Sequence, residues 1–322
     1  MAKLSATTLL LVFAAWYAFN ASYNVYTQKS KAIFALFPLF VAATQLMVGL
    51  SYSLPLWLLG ARKAPRMTLS DLVMFLPIVL LNTIGHVSAV TAMFEKGGGS
   101  FTHVIKASEP VVSGKIGNAL YCTARFLLLR CMSIVILGVF INGAIPKPLT
   151  ALSLLPITYG VAYASTLGNL SVATMSKELF TKTAVLAMIS NIAFALRSIM
   201  RKNLSEDYKN RTGLKDPAND HAVTTAFSFL LSAALALYME KFEVISSAYN
   251  SVADKNDMLM VLAVGGFSFY LYNEMQNLVL SSLGPVPTAV GNTLKRVVIF
   301  VALYFCIEGT YIQYCLLVIF TI

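Results

Sequence analysis

Acidic side chains are scarce in this chain. Its 322 residues hold 14 Asp and Glu against 24 Lys and Arg, and all charged residues together make up 12%, where a soluble domain carries about 25%. With 57% hydrophobic residues and a mean hydropathy of +0.72, there is too little charge to clothe a water-facing surface, which excludes a soluble globular domain. Cysteine is scarce too. Cys122, Cys131, Cys306 and Cys315 form no CxxC and stand at no ligand spacing with the three histidines, so neither a disulfide framework nor a metal site is indicated. The Walker phosphate-binding signature and any catalytic constellation are absent, and no cofactor is implied. No polar loop is long enough to fold alone, which disfavours a membrane enzyme or receptor with a soluble domain. The formal charge of +10 therefore belongs to loops beside lipid headgroups, not to a nucleic-acid footprint.

What the chain has in quantity is long apolar runs. Leu9 to Ala18 resembles a signal-peptide core, but Trp16-Tyr17 carries on to Asn24 without a clean cleavage site, so a first transmembrane helix closed by Lys29 and Lys31 is expected. Further spans are expected at Ile33–Leu59, from Asp71, from Ser100, and at Leu149–Asn169, Ala184–Met200, Ala222–Met239, Leu259–Leu283 and Pro285–Ile307. Polar loops are expected around Lys177 to Lys182 and from Glu240 to Asp257, and Cys315–Ile322 is too short to span. Arg201 to Asp220 holds nine charges in twenty residues and reads as a linker. The expected fold is an all-α polytopic membrane protein of about ten transmembrane helices in two inverted five-helix repeats. Residues 1–200 form the first repeat, 201–220 the linker and 221–322 the second, with the tenth helix cut short.

Three bases lie deep in these spans. Lys295 and Arg296 occupy the middle of Pro285–Ile307, where each charge costs about 2.5–3.5 kcal/mol to insert. Lys106 stands nine residues beyond Gly97, or roughly 13 Å into the membrane. Either buried carboxylates neutralise these bases (Glu109 at i+3 is available to Lys106), or an anionic ligand does. Both basic sites are entered through small residues and fall at corresponding places in the two halves, which is the pattern of a midplane site between repeats.

Ser100-Phe-Thr-His-Val-Ile-Lys-Ala-Ser-Glu-Pro110, Leu152-Ser-Leu-Leu-Pro-Ile157, Tyr270-Leu-Tyr-Asn273 and Val290-Gly-Asn-Thr-Leu-Lys-Arg-Val297 resemble the plastid phosphate translocators of the drug/metabolite transporter superfamily. Trp16-Tyr17 with Asn20 and Asn24 resembles their first helix, and the likeness runs from about Leu11 to Phe305. The resemblance implies a monomeric antiporter in a plastid membrane that exchanges inorganic phosphate for a phosphorylated C3 metabolite, triose phosphate or 3-phosphoglycerate. It places Lys106, Lys295 and Arg296 on the phosphate, and Tyr272, His86 and Arg197 around the rest of the substrate. The partners it implies are inorganic phosphate, phosphorylated small metabolites and membrane lipids, and no nucleic acid. A carrier of nucleotide sugars, sugar phosphates or phosphoenolpyruvate from the same superfamily is the alternative.

One stretch departs from the family pattern. Family members continue from Glu-Pro-Val into an apolar run, whereas Val112-Ser113 is followed here by residues 114–133, with Lys115, Arg125 and Arg130. Ile134-Val-Ile-Leu-Gly-Val-Phe-Ile-Asn142 then supplies the apolar text expected directly after Ser113. Residues 114–133 read as an insertion.

Overall fold

A computed structural model describes residues 5–95, 98–106 and 177–283, with Thr288, Gly291, Asn292, Leu294, Lys295, Val298, Ile299, Ala302 and Cys306. Arg296, Glu109, the expected span Leu149–Asn169 and the insertion 114–133 lie outside the described residues. Among those described, every regular element is helical: α1 (Ala6–Ile33), α2 (Pro38–Leu58), α3 (Leu69–Phe94), α4 (Gly98–Lys106), α5 (Lys177–Asn203), α6 (Glu206–Thr212), α7 (Pro217–Ala236), a π turn (Leu237–Lys241), α8 (Phe242–Ser251) and α9 (Lys255–Leu283).

The helix starts follow from local chemistry. Ser5 Oγ accepts from the Thr8 N–H at 3.1 Å, and Thr68 with Asp71 closes a reciprocal capping box on α3. Ser205 caps α6, and Asp216 followed by Pro217 opens α7. Gly213 ends α6 with φ +79, a left-handed backbone that glycine adopts without a Cβ penalty. The start of α2 has no cap of its own. Glu240, in the π turn, reaches across and accepts from the N–H groups of Leu39 and Phe40 at 2.7 and 2.8 Å. A carboxylate at that place also meets the positive end of the helix dipole.

Five stretches are long and apolar enough to cross a membrane: Pro38–Leu58, Leu69–Phe94, Thr181–Asn203, Pro217–Ser251 and Lys255–Leu283. The 28-residue α1 is not among them, because Asn20, Asn24, Thr27 and Ser30 interrupt its apolar text. Those four side chains are buried against protein, as are Gln45, Ser53, Asn82, Thr83 and Ser228, while Leu10, Leu58, Leu69 and Val73 stay more than half exposed. Polar residues inside and leucines outside are the arrangement that lipid imposes on a bundle.

α1 packs along α9, α9 along α2, α2 on α7, α7 on α3, and α3 on α5, with α4 lodged between α3 and α5. Glycine lets two of these helices approach closely: a Cβ on Gly266 of α9 would stand 2.5 Å from Val48 Cβ of α2, and one on Gly49 would stand 2.7 Å from the Tyr270 ring. Tyr23, Leu46, Val90, Met93, Met258 and Phe269 form the centre of the largest apolar cluster.

Two sequence expectations need correcting. Lys177, Glu178 and Lys182 lie in the first turns of α5 instead of a loop, and Lys182 pairs with Glu95 beyond the end of α3. The polar run from Glu240 is largely helical, in the π turn and α8, because it packs Ile245 into the main cluster. The stretch Arg201 to Asp220, expected as the linker, contains α6, held by ion pairs. Arg211 binds Asp71 with both terminal nitrogens (2.6 and 3.1 Å), and Arg201 meets Asp220 at 2.8 Å. Tyr208 donates to the Asp71 carbonyl at 2.9 Å, and burial together with the Asp71 charge pushes its hydroxyl up to about 12, so it stays a neutral donor.

Candidate functional site

Lys295 is the most buried lysine or arginine among the described residues, 7% exposed. Its backbone is helical, and Gly291 one turn earlier leaves room for α1: a Cβ there would stand 2.8 Å from the Trp16 ring. Trp16 itself is fully buried, packed with Val12 and Val279, and its indole N–H has no acceptor among the described residues. The Lys295 ammonium lies 5.2 Å from the centre of the Trp16 ring and 5.6 Å from that of Tyr272, within range for cation–π attraction. It donates to Oε1 of Gln276 at 3.1 Å.

Tyr272 is positioned by an aromatic group: Tyr23 lies 5.4 Å away and Phe269 5.7 Å away edge-on, centroid to centroid. His86 of α3 then stacks on Phe269 at 4.3 Å. It is 2% exposed and its Nε2–H donates to the Ala42 carbonyl at 3.3 Å, so in this structure it is a satisfied buried histidine. The Lys106 charge acts on it electrostatically.

Lys106 ends the described part of α4 and is half-buried. Its ammonium lies 5.4 Å from the centre of the Phe194 ring on α5, and the Arg197 guanidinium lies 4.8 Å from the same ring. Phe194 is seated against Gly85, where a Cβ would stand 2.8 Å from the ring. Arg197 donates to Asn82 Oδ1, and Asn82 in turn donates to Ser228 on α7 at 2.8 Å. An unbroken line of contacts thus runs from Arg197 and Lys106 through Phe194, Gly85, His86, Phe269 and Tyr272 to Lys295.

Five of the six expected site residues are thus linked by this line of contacts, and the sixth, Arg296, lies outside the described residues. Reading the sequence missed Gln276, Trp16, Phe194 and Asn82 as contacts of these residues. The one signal available was spacing: Tyr272 and Gln276 are four apart and share a helix face. Chemically, the arrangement offers ammonium and guanidinium groups in low dielectric, backed by rings and amides. Such a lining suits an oxyanion that accepts several charge-assisted hydrogen bonds.

Over about nine tenths of its length the chain is similar to chloroplast carriers. It is 30% identical over 92% of its length to "Phosphoenolpyruvate/phosphate translocator 1, chloroplastic" of Oryza sativa subsp. japonica, covering 65% of that protein. It is 28% identical over 93% of its length to "Xylulose 5-phosphate/phosphate translocator, chloroplastic" of Arabidopsis thaliana, covering 64%. It is 30% identical over 90% of its length to "Triose phosphate/phosphate translocator, chloroplastic" of Brassica oleracea var. botrytis, covering 62%. The chain thus spans a little under two thirds of the length of these relatives. A family model matches in two pieces, residues 7–144 and 130–314, which overlap over 130–144, across the end of the expected insertion. By that match the chain belongs to the Triose-phosphate Transporter family, a family of transporters rather than enzymes.

Proposed function

We propose that the chain is a secondary antiporter of a plastid membrane that exchanges inorganic phosphate for a phosphorylated C3 metabolite by alternating access. Its two halves act as inverted five-helix repeats that rock about a phosphate held by Lys106, Lys295 and Arg296. Tyr272, His86 and Arg197 shape the space for the carbon skeleton. The observation that carries this reading is Lys295, buried to 7% exposure between two aromatic rings and an amide. Family membership and the activities for which the chloroplast relatives are named add to it.

The mechanism follows from charge. Empty, the site holds about three positive charges, and closing both ends over it buries them without an anion, which costs several kcal/mol. A bound dianion removes most of that cost. The loaded carrier turns and the empty one stalls, so exchange is obligatory and no nucleotide or coupling ion is needed.

The relatives differ in the organic phosphate they are named for: phosphoenolpyruvate, xylulose 5-phosphate, glucose 6-phosphate and triose phosphate. Competition by each of these, and by a nucleotide sugar, against labelled phosphate ranks them directly; a C3 phosphate should compete best. The decisive experiment is uptake of labelled phosphate into proteoliposomes. Vesicles preloaded with phosphate should take up label much faster than empty ones. Equal rates would identify a channel or uniporter instead.

A further inference from the structure

α2 meets the later part of the chain at three levels. At its start, Leu39 and Phe40 donate their N–H groups to the Glu240 carboxylate of the π turn at 2.7 and 2.8 Å. At its middle, Gly49 faces the Tyr270 ring of α9 and Val48 faces Gly266. A Cβ on either glycine would stand only 2.7 or 2.5 Å from its neighbour. Beyond its last turn, Arg62 reaches the Glu274 carboxylate of α9 at 2.6 Å. The Arg62 N–H donates to the Leu56 carbonyl at 3.0 Å, which ties this arginine to the end of α2.

The middle contact differs in kind from the two at the ends. It sets backbone close against apolar side chains, and water gains nothing by entering it. Each end is closed by a carboxylate, whose charge and donors water can take up when they part. The Arg62–Glu274 pair is also made through one nitrogen and one oxygen. Arg62 Nη1 and Glu274 Oε2 are buried without a hydrogen-bond partner among the described residues, so the pair lacks the second bond of a bidentate fork. A buried ion pair stands near balance with the hydration of its two charges. The ends can therefore open and close again while the middle holds.

We propose that α2 is a rocking element that pivots where Gly49 and Gly266 let it touch α9, with Glu240 and the Arg62–Glu274 pair as end latches that part in turn. Both latches are closed in this structure. Release at Glu240 opens the site to one face of the membrane, and release at Glu274 opens it to the other. The proposal rests on reading the chain as a phosphate exchanger with alternating access, and the test separates the two.

The test uses the full chain with its four cysteines replaced by serine. Leu39→Cys with Glu240→Cys marks one latch, and Arg62→Cys with Glu274→Cys the other. Each pair is bridged by reducible bifunctional thiol reagents of graded length, and bridging is confirmed by mass. In proteoliposomes either bridge should slow phosphate exchange by about tenfold or more, and reduction should restore it. In detergent, inorganic phosphate should still raise the Tm of either singly bridged protein, because the other end admits it. With both bridges in place that rise should vanish. A bridge that leaves exchange at the reduced rate overturns the proposal, as does a pair that no reagent can bridge. A single bridge that already abolishes the phosphate-dependent rise overturns it too. A cysteine-free chain that neither exchanges phosphate nor gains Tm from it overturns the exchanger reading itself, and the latches with it.

Discussion

At the scale of single residues, the site is built from bases set on rings. Lys106 and Arg197 share the Phe194 ring, and Lys295 lies between Trp16 and Tyr272. Replacing Lys106, Lys295 or Arg296 with Gln should abolish phosphate exchange while the protein still reaches the membrane. Arg296→Lys should fare little better, because a point charge does not reproduce the planar fork of arginine. Parental exchange in any one of the neutral variants would remove that residue from the site. A subtler test lies behind Phe194. The Cβ of Gly85→Ala would stand 2.8 Å from that ring, so the ring must shift and carry both cations with it. The expected result is a loss of about 1–3 kcal/mol of stability, with a several-fold rise in KM for phosphate. An unchanged KM beside a lowered Tm would show that the ring's position does not matter to the ligand.

At the scale of elements, the helices depend on one another for their ends. Glu240 satisfies two N–H groups at the start of α2, so Glu240→Ala should cost about 1–2 kcal/mol, read as a Tm lower by a few degrees. Glu243→Ala, a neighbouring exposed carboxylate, is the control and should leave Tm near the parental value. This contact also shows why the sequence was legible only in part. α2, α3 and α9 could be read from their apolar text, and the start of α3 from Thr68 and Asp71. The run from Glu240 reads as a loop because its helical state depends on partners two hundred residues away, which no local pattern records. The same holds within the site. A lysine inside an apolar run announces itself, whereas Phe194 looks like any core aromatic and Gln276 like any polar residue until the fold brings each to its base.

At the scale of the whole molecule, the insertion and the order of the helices carry the remaining consequences. Residues 114–133 place Lys115, Arg125 and Arg130 where the family pattern is apolar, eight residues or more beyond Lys106. Deleting Gly114–Ser133 should therefore increase phosphate exchange in proteoliposomes. A deletion variant that is no faster than the parental chain would mark the stretch as a tolerated loop. The second consequence concerns the pairing of α1 with α9, the most extensive helix contact among the described residues, where Ser268 donates to Ser22 at 3.0 Å. Ribosomes make α1 first and α9 more than two hundred residues later. During that interval α1, with its polar stripe of Asn20, Asn24 and Thr27, lacks the cover that α9 supplies, although Gln45 of α2 already donates to Thr27 at 3.0 Å. A nascent chain that stops before α9 keeps the α9-facing side of α1, with Ser22, uncovered.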